Sequence, residues 1–183
     1  EITFFFINLC NNKEVPMSHP VWSNIFKKLK RSQSETEIAI QQVPIFENLK
    51  RRELKEISKI VHQREFLKDE YVFKFNTPGL GMYIILKGKI AIEGEDGTNF
   101  AELETGDFFG ETALISEDKR SANSRAVIDT RIIAFFRSDL LEIIRRNPVF
   151  GTKILFNLAN IMAKRLKATN AALLQDKKTT TNE

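Results

Sequence analysis

Cysteine occurs once in the 183 residues, at Cys10. A single thiol excludes an intramolecular disulfide and a thiolate metal cluster. Histidine occurs twice, at His19 and His62, which excludes a multi-histidine metal site. No apolar run approaches the ~18 residues that cross a bilayer. Neither sign of charge dominates: 28 Lys and Arg stand against 24 Asp and Glu, for a formal net charge of +4. No acidic or basic tail results. Trp occurs once and Tyr twice, against 15 Phe, so phenylalanine fills the core. A hydrophobic fraction of 42% supports that core and excludes wholesale disorder. The length suits one domain with short extensions. The expectation is a cytoplasmic globular protein with no cofactor and no membrane association.

The chain opens on an apolar run, residues 2–9, that has no basic flank and no small-residue cleavage site, so it does not read as a signal peptide. Residues 1–16 are read as a leader, either non-native with Met17 as the start or an added strand or interface segment. Residues 17–42 read as a helical extension, with Trp22, Ile25, Phe26 and Leu29 at helical spacing. The basic residues Lys27, Lys28, Lys30 and Arg31 read as its solvated face. Pro44 marks a boundary, and Leu54, Ile57, Ile60 and Val61 give a second amphipathic helix.

From residue 64 the period changes to two. Strands are expected over 71–76, 82–86, 89–93 and 100–103, and a strand pair over 127–136. Asp96-Gly97 predicts a hairpin turn with both residues at positive φ. Short strands punctuated by Gly and Asp predict a small antiparallel barrel or jelly roll. Ser138 is read as the cap of a further helix. After Asn147-Pro148 a long helix runs over 149–174 with two apolar stripes. One holds Leu155, Leu158, Met162, Leu166, Thr169 and Leu173; the other holds Ile154, Ile161, Ala168 and Ala172. Two stripes predict two partners, the barrel and something else. Residues 175–183 read as a polar tail. The fold class is therefore α+β, a jelly-roll barrel flanked by N-terminal helices and a long C-terminal helix.

Chemistry concentrates at 106–122. Gly106 and Gly110 permit tight backbone geometry. Thr112, Ala113, Leu114 and Ile115 predict a short helix whose opening N–H groups suit an anion. Arg120 offers a planar fork to the same anion, and Ser121 adds a hydroxyl. Glu111 beside an anion makes sense only if the ligand also brings a donor, such as a sugar hydroxyl. The terminal Gly-Lys-Ser/Thr of a Walker loop is missing.

Gly106-Asp107-Phe108-Phe109-Gly110-Glu111 followed by Arg120-Ser121-Ala122 resembles the phosphate-binding cassette of the cyclic-nucleotide-binding domain family, as in the catabolite activator and the regulatory subunits of cyclic-AMP-dependent kinase. Val43-Pro44-Ile45-Phe46 resembles the family's opening helices, and Met82-Tyr83-Ile84-Ile85-Leu86-Lys87-Gly88 its central hairpin. The resemblance covers about 43–174. It implies that Gly110 lets the backbone approach a ribose, that Glu111 accepts its 2′-hydroxyl, and that Arg120 pairs with the cyclic phosphate. Ser121 and the backbone of Ala113 and Leu114 would assist, with Thr112 and Ala122 completing the cassette. The family's adenine-contacting pair on the long helix falls on Thr169 and Asn170. Three departures stand out. Asn76 occupies a position where the family often has Gly, Lys119 replaces a Pro found in many eukaryotic cassettes, and Asn170 replaces Ser.

The function implied is a sensor or regulatory module for a cyclic nucleotide, cyclic AMP favoured and cyclic GMP possible. The module would relay occupancy through its C-terminal helix to a homodimer mate and to an unknown downstream protein. The alternative is a degenerate domain serving as a protein-interaction scaffold. A cupin-type barrel enzyme would need a histidine-rich triad, so no enzymatic activity is expected. Nine residues after Leu174 leave no room for a helix-turn-helix, so direct DNA binding is not expected. Arg125, Lys164 and Arg165 read as solvated charges or local ion pairs.

Overall fold

The computed structural model describes residues 34–180. The readings placed on 1–33, and the last residues of the tail, lie outside the described residues. Helix α1 (Glu35–Gln42) leads through a 3-10 turn (Pro44–Phe46) to α2 (Arg51–Ile60). Eight strands follow: β1 (His62–Phe66), β2 (Tyr71–Phe73), β3 (Gly81–Lys87), β4 (Lys89–Glu93), β5 (Asn99–Glu104), β6 (Phe108–Phe109), β7 (Asn123–Ala126) and β8 (Thr130–Phe136). A second 3-10 turn (Glu111–Leu114) sits between β6 and β7, and α3 (Arg137–Arg146) and α4 (Pro148–Thr180) close the chain. The strands form two four-stranded antiparallel sheets, ordered β1-β8-β3-β6 and β2-β7-β4-β5. This is the expected α+β jelly roll.

The first sheet is covered on both faces, which explains the unbroken apolar run in β3. Met82, Ile84 and Leu86 point one way, into a core shared with the helices. Ile85 and Tyr83 point the other way, toward the second sheet. Period-two alternation thus sorts one hydrophobic strand into two cores. The helical core gathers Ile40, Phe46, Ile57, Phe135, Leu140, Phe150, Ile154 and Leu158. Phe46 meets Phe135 edge-on, with centroids 5.6 Å apart and planes at 77°.

Helix ends follow their local chemistry. Pro148 opens α4, where its missing N–H costs nothing, and Asn147 Oδ1 accepts the Phe150 N–H at 3.2 Å. At α3 the N-cap position is Phe136, whose N–H donates to the carboxylate of Asp139 in the first turn at 3.1 Å. Ser138, expected to be the cap, lies within the first turn instead. Two polar links tie α4 to the start of the domain. Lys153 pairs with Glu53 at 2.8 and 3.0 Å, and Asn157 Nδ2 donates to Ile45 O and Glu47 O at 3.1 and 2.8 Å.

Four expectations need correction. Residues 127–136 hold one strand, not a pair. The chain crosses between sheets at 127–129, where Thr130 Oγ1 donates to Ile128 O at 2.7 Å and Asp129 accepts the Lys68 N–H. In the Asp96-Gly97 turn only Gly97 has positive φ, at 84°. Gly94 N–H reaches Thr98 O at 2.8 Å, so three residues make the loop, and Asp96 instead accepts the Thr98 N–H at 3.0 Å. The strands β1 and β6 were not expected. The two stripes on the long helix do not divide as expected either. Leu158 of one and Ile154 of the other are both buried in the same core, with Leu155, Ile161 and Met162 half-buried beside them. The outward positions on α4 are instead Val149, Phe156 and Leu166, at 72%, 68% and 62% exposure. Among the described residues no helix is long and apolar enough to cross a membrane.

Candidate functional site

At the end of β6 the chain turns on Gly110, whose φ of 73° and ψ of 16° are left-handed. It then closes the 3-10 turn that holds Glu111, as the sequence predicts for this stretch. A cavity of about 570 Å³ opens against this turn. Its apolar wall comes from the strands, with Phe73, Ile92, Leu103 and Phe108. Its polar side comes from Glu111, Arg120, Ser121 and Arg165.

Arg120 is 6% exposed. Its Nη2 donates to Gly81 O at 2.7 Å and its Nη1 to Gly110 O at 3.2 Å. The guanidinium lies 4.1 Å from the Phe73 ring centroid and 5.6 Å from that of Tyr83. Phe73, Tyr83 and Phe109 pack together, with centroids 5.4 to 5.8 Å apart. Burial pulls the Arg120 guanidinium below its ordinary value, while the Tyr83 hydroxyl and the Glu111 carboxylate act in the opposite direction. Its Nε is buried without a hydrogen-bond partner among the described residues. The backbone around it is fixed too: Arg120 N–H reaches Thr77 O at 2.8 Å, and Asn76 N–H reaches Arg120 O at 2.9 Å. Asn76 takes the left-handed conformation, with φ of 64°, which asparagine tolerates better than most side chains.

Glu111 is 3% exposed. Its carboxylate pairs with the guanidinium of Arg165 on α4, and Arg165 also lies 5.2 Å from the Phe108 ring centroid. The site therefore sets a buried cation, a buried carboxylate and an aromatic-aliphatic wall around one cavity. That combination suits a ligand with an anionic group, a hydroxyl donor and a flat apolar body.

Most of the sequence-nominated residues meet here. Gly110, Glu111, Thr112, Ala113, Arg120, Ser121 and Ala122 all line the cavity. Leu114 does not: it is 1% exposed within the helical core. Thr169 and Asn170 are exposed on α4 away from the lining, and the Thr169 hydroxyl donates to its own helix at Arg165 O, 3.0 Å. Arg165 was the residue missed. It was taken as a solvated or local charge, yet its partner lies 54 residues away in sequence. One signal existed: Arg165 sits one turn before Thr169, on the same helix face.

Fold and cavity together define a jelly-roll ligand-binding domain. Residues 63–147 match the cyclic nucleotide-binding domain family, and this part of the chain belongs to that family. The chain is 32% identical over 135 residues to the cyclic AMP receptor protein of Thermus thermophilus, covering 71% of this chain and 60% of that protein. It is 30% identical over 158 residues to the cone photoreceptor subunit alpha of a cyclic nucleotide-gated channel from Gallus gallus, covering 79% of this chain and 21% of that protein. The crystal structure of the Thermus thermophilus catabolite activator protein matches with a TM-score of 0.63 at 31% identity, over 72% of this chain and 62% of that one. A cyclic nucleotide-binding domain from Methylobacillus flagellatus matches in fold, with a TM-score of 0.67 at 20% identity over 78% of this chain and 82% of that one. The chain thus spans less than two thirds of the two curated relatives.

Proposed function

We propose that the cavity binds a cyclic nucleotide, cyclic AMP in preference to cyclic GMP, and that the domain is a cytoplasmic sensor signalling through α4. The observation that carries this reading is Arg120, a buried guanidinium with an unpartnered Nε on a 570 Å³ cavity. In this reading Arg120 forks onto the cyclic phosphate, assisted by Ser121 and the backbone of Ala113 and Leu114. Gly110 brings the backbone up to the ribose, Glu111 accepts its 2′-hydroxyl, and the base stacks along Phe73, Ile92 and Leu103. Thr112 and Ala122 shape the rim. Thr169 and Asn170 reach the base once the outer part of α4 bears on the cavity.

The relay runs to a second copy of the chain. Val149, Phe156 and Ala163 are exposed seven residues apart, and exposed Thr152, Ala159 and Leu166 each follow one of them by three residues. That is the a/d pattern of a helix pair. Leu155 and Met162, from one of the predicted stripes, pack against the domain's own helical core and lie outside this seam, whereas Leu166 of the same stripe belongs to it. Ligand then favours whichever helix pose gives it more contacts, and an unidentified downstream protein reads that pose.

Calorimetric titration of the whole chain with both nucleotides tests the reading. Arg120→Ala should weaken cyclic AMP binding ten- to hundredfold, the scale of a charge-assisted hydrogen bond. Arg120→Lys should recover little of it, because an ammonium lacks the fork. Parental affinity in Arg120→Ala, in a variant that still melts cooperatively, rejects the assignment.

A further inference from the structure

Glu111 is almost wholly buried, yet its ion-pair partner stands on a different element. An unpaired carboxylate at that depth is strongly disfavoured, so the pair with Arg165 sets the direction in which Glu111 faces. The arrangement matters for α4 as well. From Ala163 to Asn170 every side chain of α4 is exposed. Among the described residues, the polar and ring contacts that fasten this stretch to the barrel are both made by Arg165: the ion pair with Glu111 and the stack on Phe108.

We propose that Arg165 is a positioning residue that couples hydroxyl recognition to helix docking. It holds the Glu111 carboxylate aimed into the cavity, and it clamps the outer part of α4 over the same cavity. The inference rests on the reading of Glu111 as a hydroxyl acceptor. A carboxylate has about four acceptor sites, and the guanidinium occupies one oxygen, Oε1. A ligand hydroxyl is neutral and cannot replace the guanidinium's charge. Ligand and Arg165 therefore share the carboxylate rather than compete for it. By linkage, a docked helix raises affinity and a bound ligand steadies the helix by the same factor.

The experiment uses the full chain with Cys10→Ser and spin labels at Glu102 on β5 and Lys167 on α4, both exposed. Cyclic AMP and 2′-deoxy cyclic AMP are titrated into parent, Arg165→Ala, Arg165→Lys and Glu111→Gln. Arg165→Ala should lose about tenfold in affinity for cyclic AMP and less for the deoxy ligand, so the preference for the 2′-hydroxyl shrinks. Lysine should restore part of that preference. The label distance should broaden in Arg165→Ala and in Glu111→Gln, and ligand should narrow it in the parent alone. Unchanged preference, an unchanged distance distribution, or tighter binding by Arg165→Ala overturns the proposal; tighter binding would mean that Arg165 blocks the ligand. Failure of the functional reading looks different: the parent binds neither ligand, or Glu111→Gln keeps the full 2′-hydroxyl preference. In that case the label distances alone decide whether Arg165 clamps the helix, and the claim of coupling falls.

Discussion

Replacing Gly110 with alanine adds one methyl group where the chain turns from β6 into the cassette. The residue sits at φ 73°, a conformation that costs an L-residue with a Cβ about 1–2 kcal/mol. The new Cβ would lie 2.7 Å from Arg120 Nη1 and 3.3 Å from Gly81 O. The guanidinium is the softer neighbour, so it moves. Moving it stretches its bonds to Gly110 O and Gly81 O and lifts it from Phe73. Losing one such bond to a charged donor costs about 1.5–3 kcal/mol. The sum is about 2.5–5 kcal/mol before relaxation, and about half that after the side chain readjusts. Thermal unfolding should therefore drop by about 4–10 °C, and cyclic AMP affinity should fall at least tenfold as Arg120 leaves its place. Gly106→Ala is the control. It has φ 95° with nothing within 4 Å of the new Cβ, so it should lower the melting temperature through backbone strain and leave affinity alone. Circular-dichroism melts and calorimetry on both variants give the answer. Equal affinity loss in the two would show that strain alone, not the displaced guanidinium, disturbs the cavity. Parental melting and affinity in Gly110→Ala would refute the geometry altogether.

Burial pushes the Glu53 carboxyl up, but the Lys153 ammonium and the Lys50 N–H outweigh it, so Glu53 titrates below the ordinary glutamate value of 4.5. Its contribution to stability is whole above that value and fades as pH falls through its lower folded value; melts across pH should show Glu53→Gln less stable than the parent at neutral pH and equal to it in acid. Leu158→Ala, at a side chain 1% exposed, should cost about 2–4 kcal/mol in denaturant unfolding, and a cost below about 1 kcal/mol would deny it a place in the core. Phe156→Glu should leave the melt of the isolated domain unchanged but shift sedimentation to the monomer, because the ring is 68% exposed until a second copy covers it. A parent that sediments as a monomer at every concentration would remove that seam.

Legibility in the sequence followed how much of each element's reason to exist was local. β3 and β4 were plain because an apolar run meets Gly88, whose φ of 119° allows the tight reversal. The clustering of Gly110, Glu111 and Arg120 was legible because a left-handed turn favours glycine and because two opposite charges near a turn stand out in a sequence even before both prove to be buried. β1 was invisible for the opposite reason. His62, Gln63, Arg64 and Glu65 are all exposed, and the strand exists through backbone pairing with β8, which no side-chain pattern announces. The crossing at 127–129 was misread because Val127 and Ile128 are apolar enough to continue a strand, and only tertiary bonds at Thr130 and Asp129 decide otherwise. Arg165 was missed because an ion pair across 54 residues leaves no mark on periodicity. On α4, spacing identified two apolar stripes but not how far round the helix the barrel reaches.

Among the described residues, the long helix is packed into the core over its first half and held to the barrel beyond that only through Arg165. Residues 148–162 are wedged into the core and pinned by Lys153 and Asn157. The 18 residues from 163 to 180 extend about 27 Å beyond that anchorage at 1.5 Å per residue. Such a rod works as a lever with its fulcrum near Met162. A tilt of about 10° at the fulcrum carries its far end through about 5 Å, close to the pitch of one helical turn. In the proposed relay, a sub-ångström adjustment around Glu111 would be geared up to a displacement large enough for another protein surface to register.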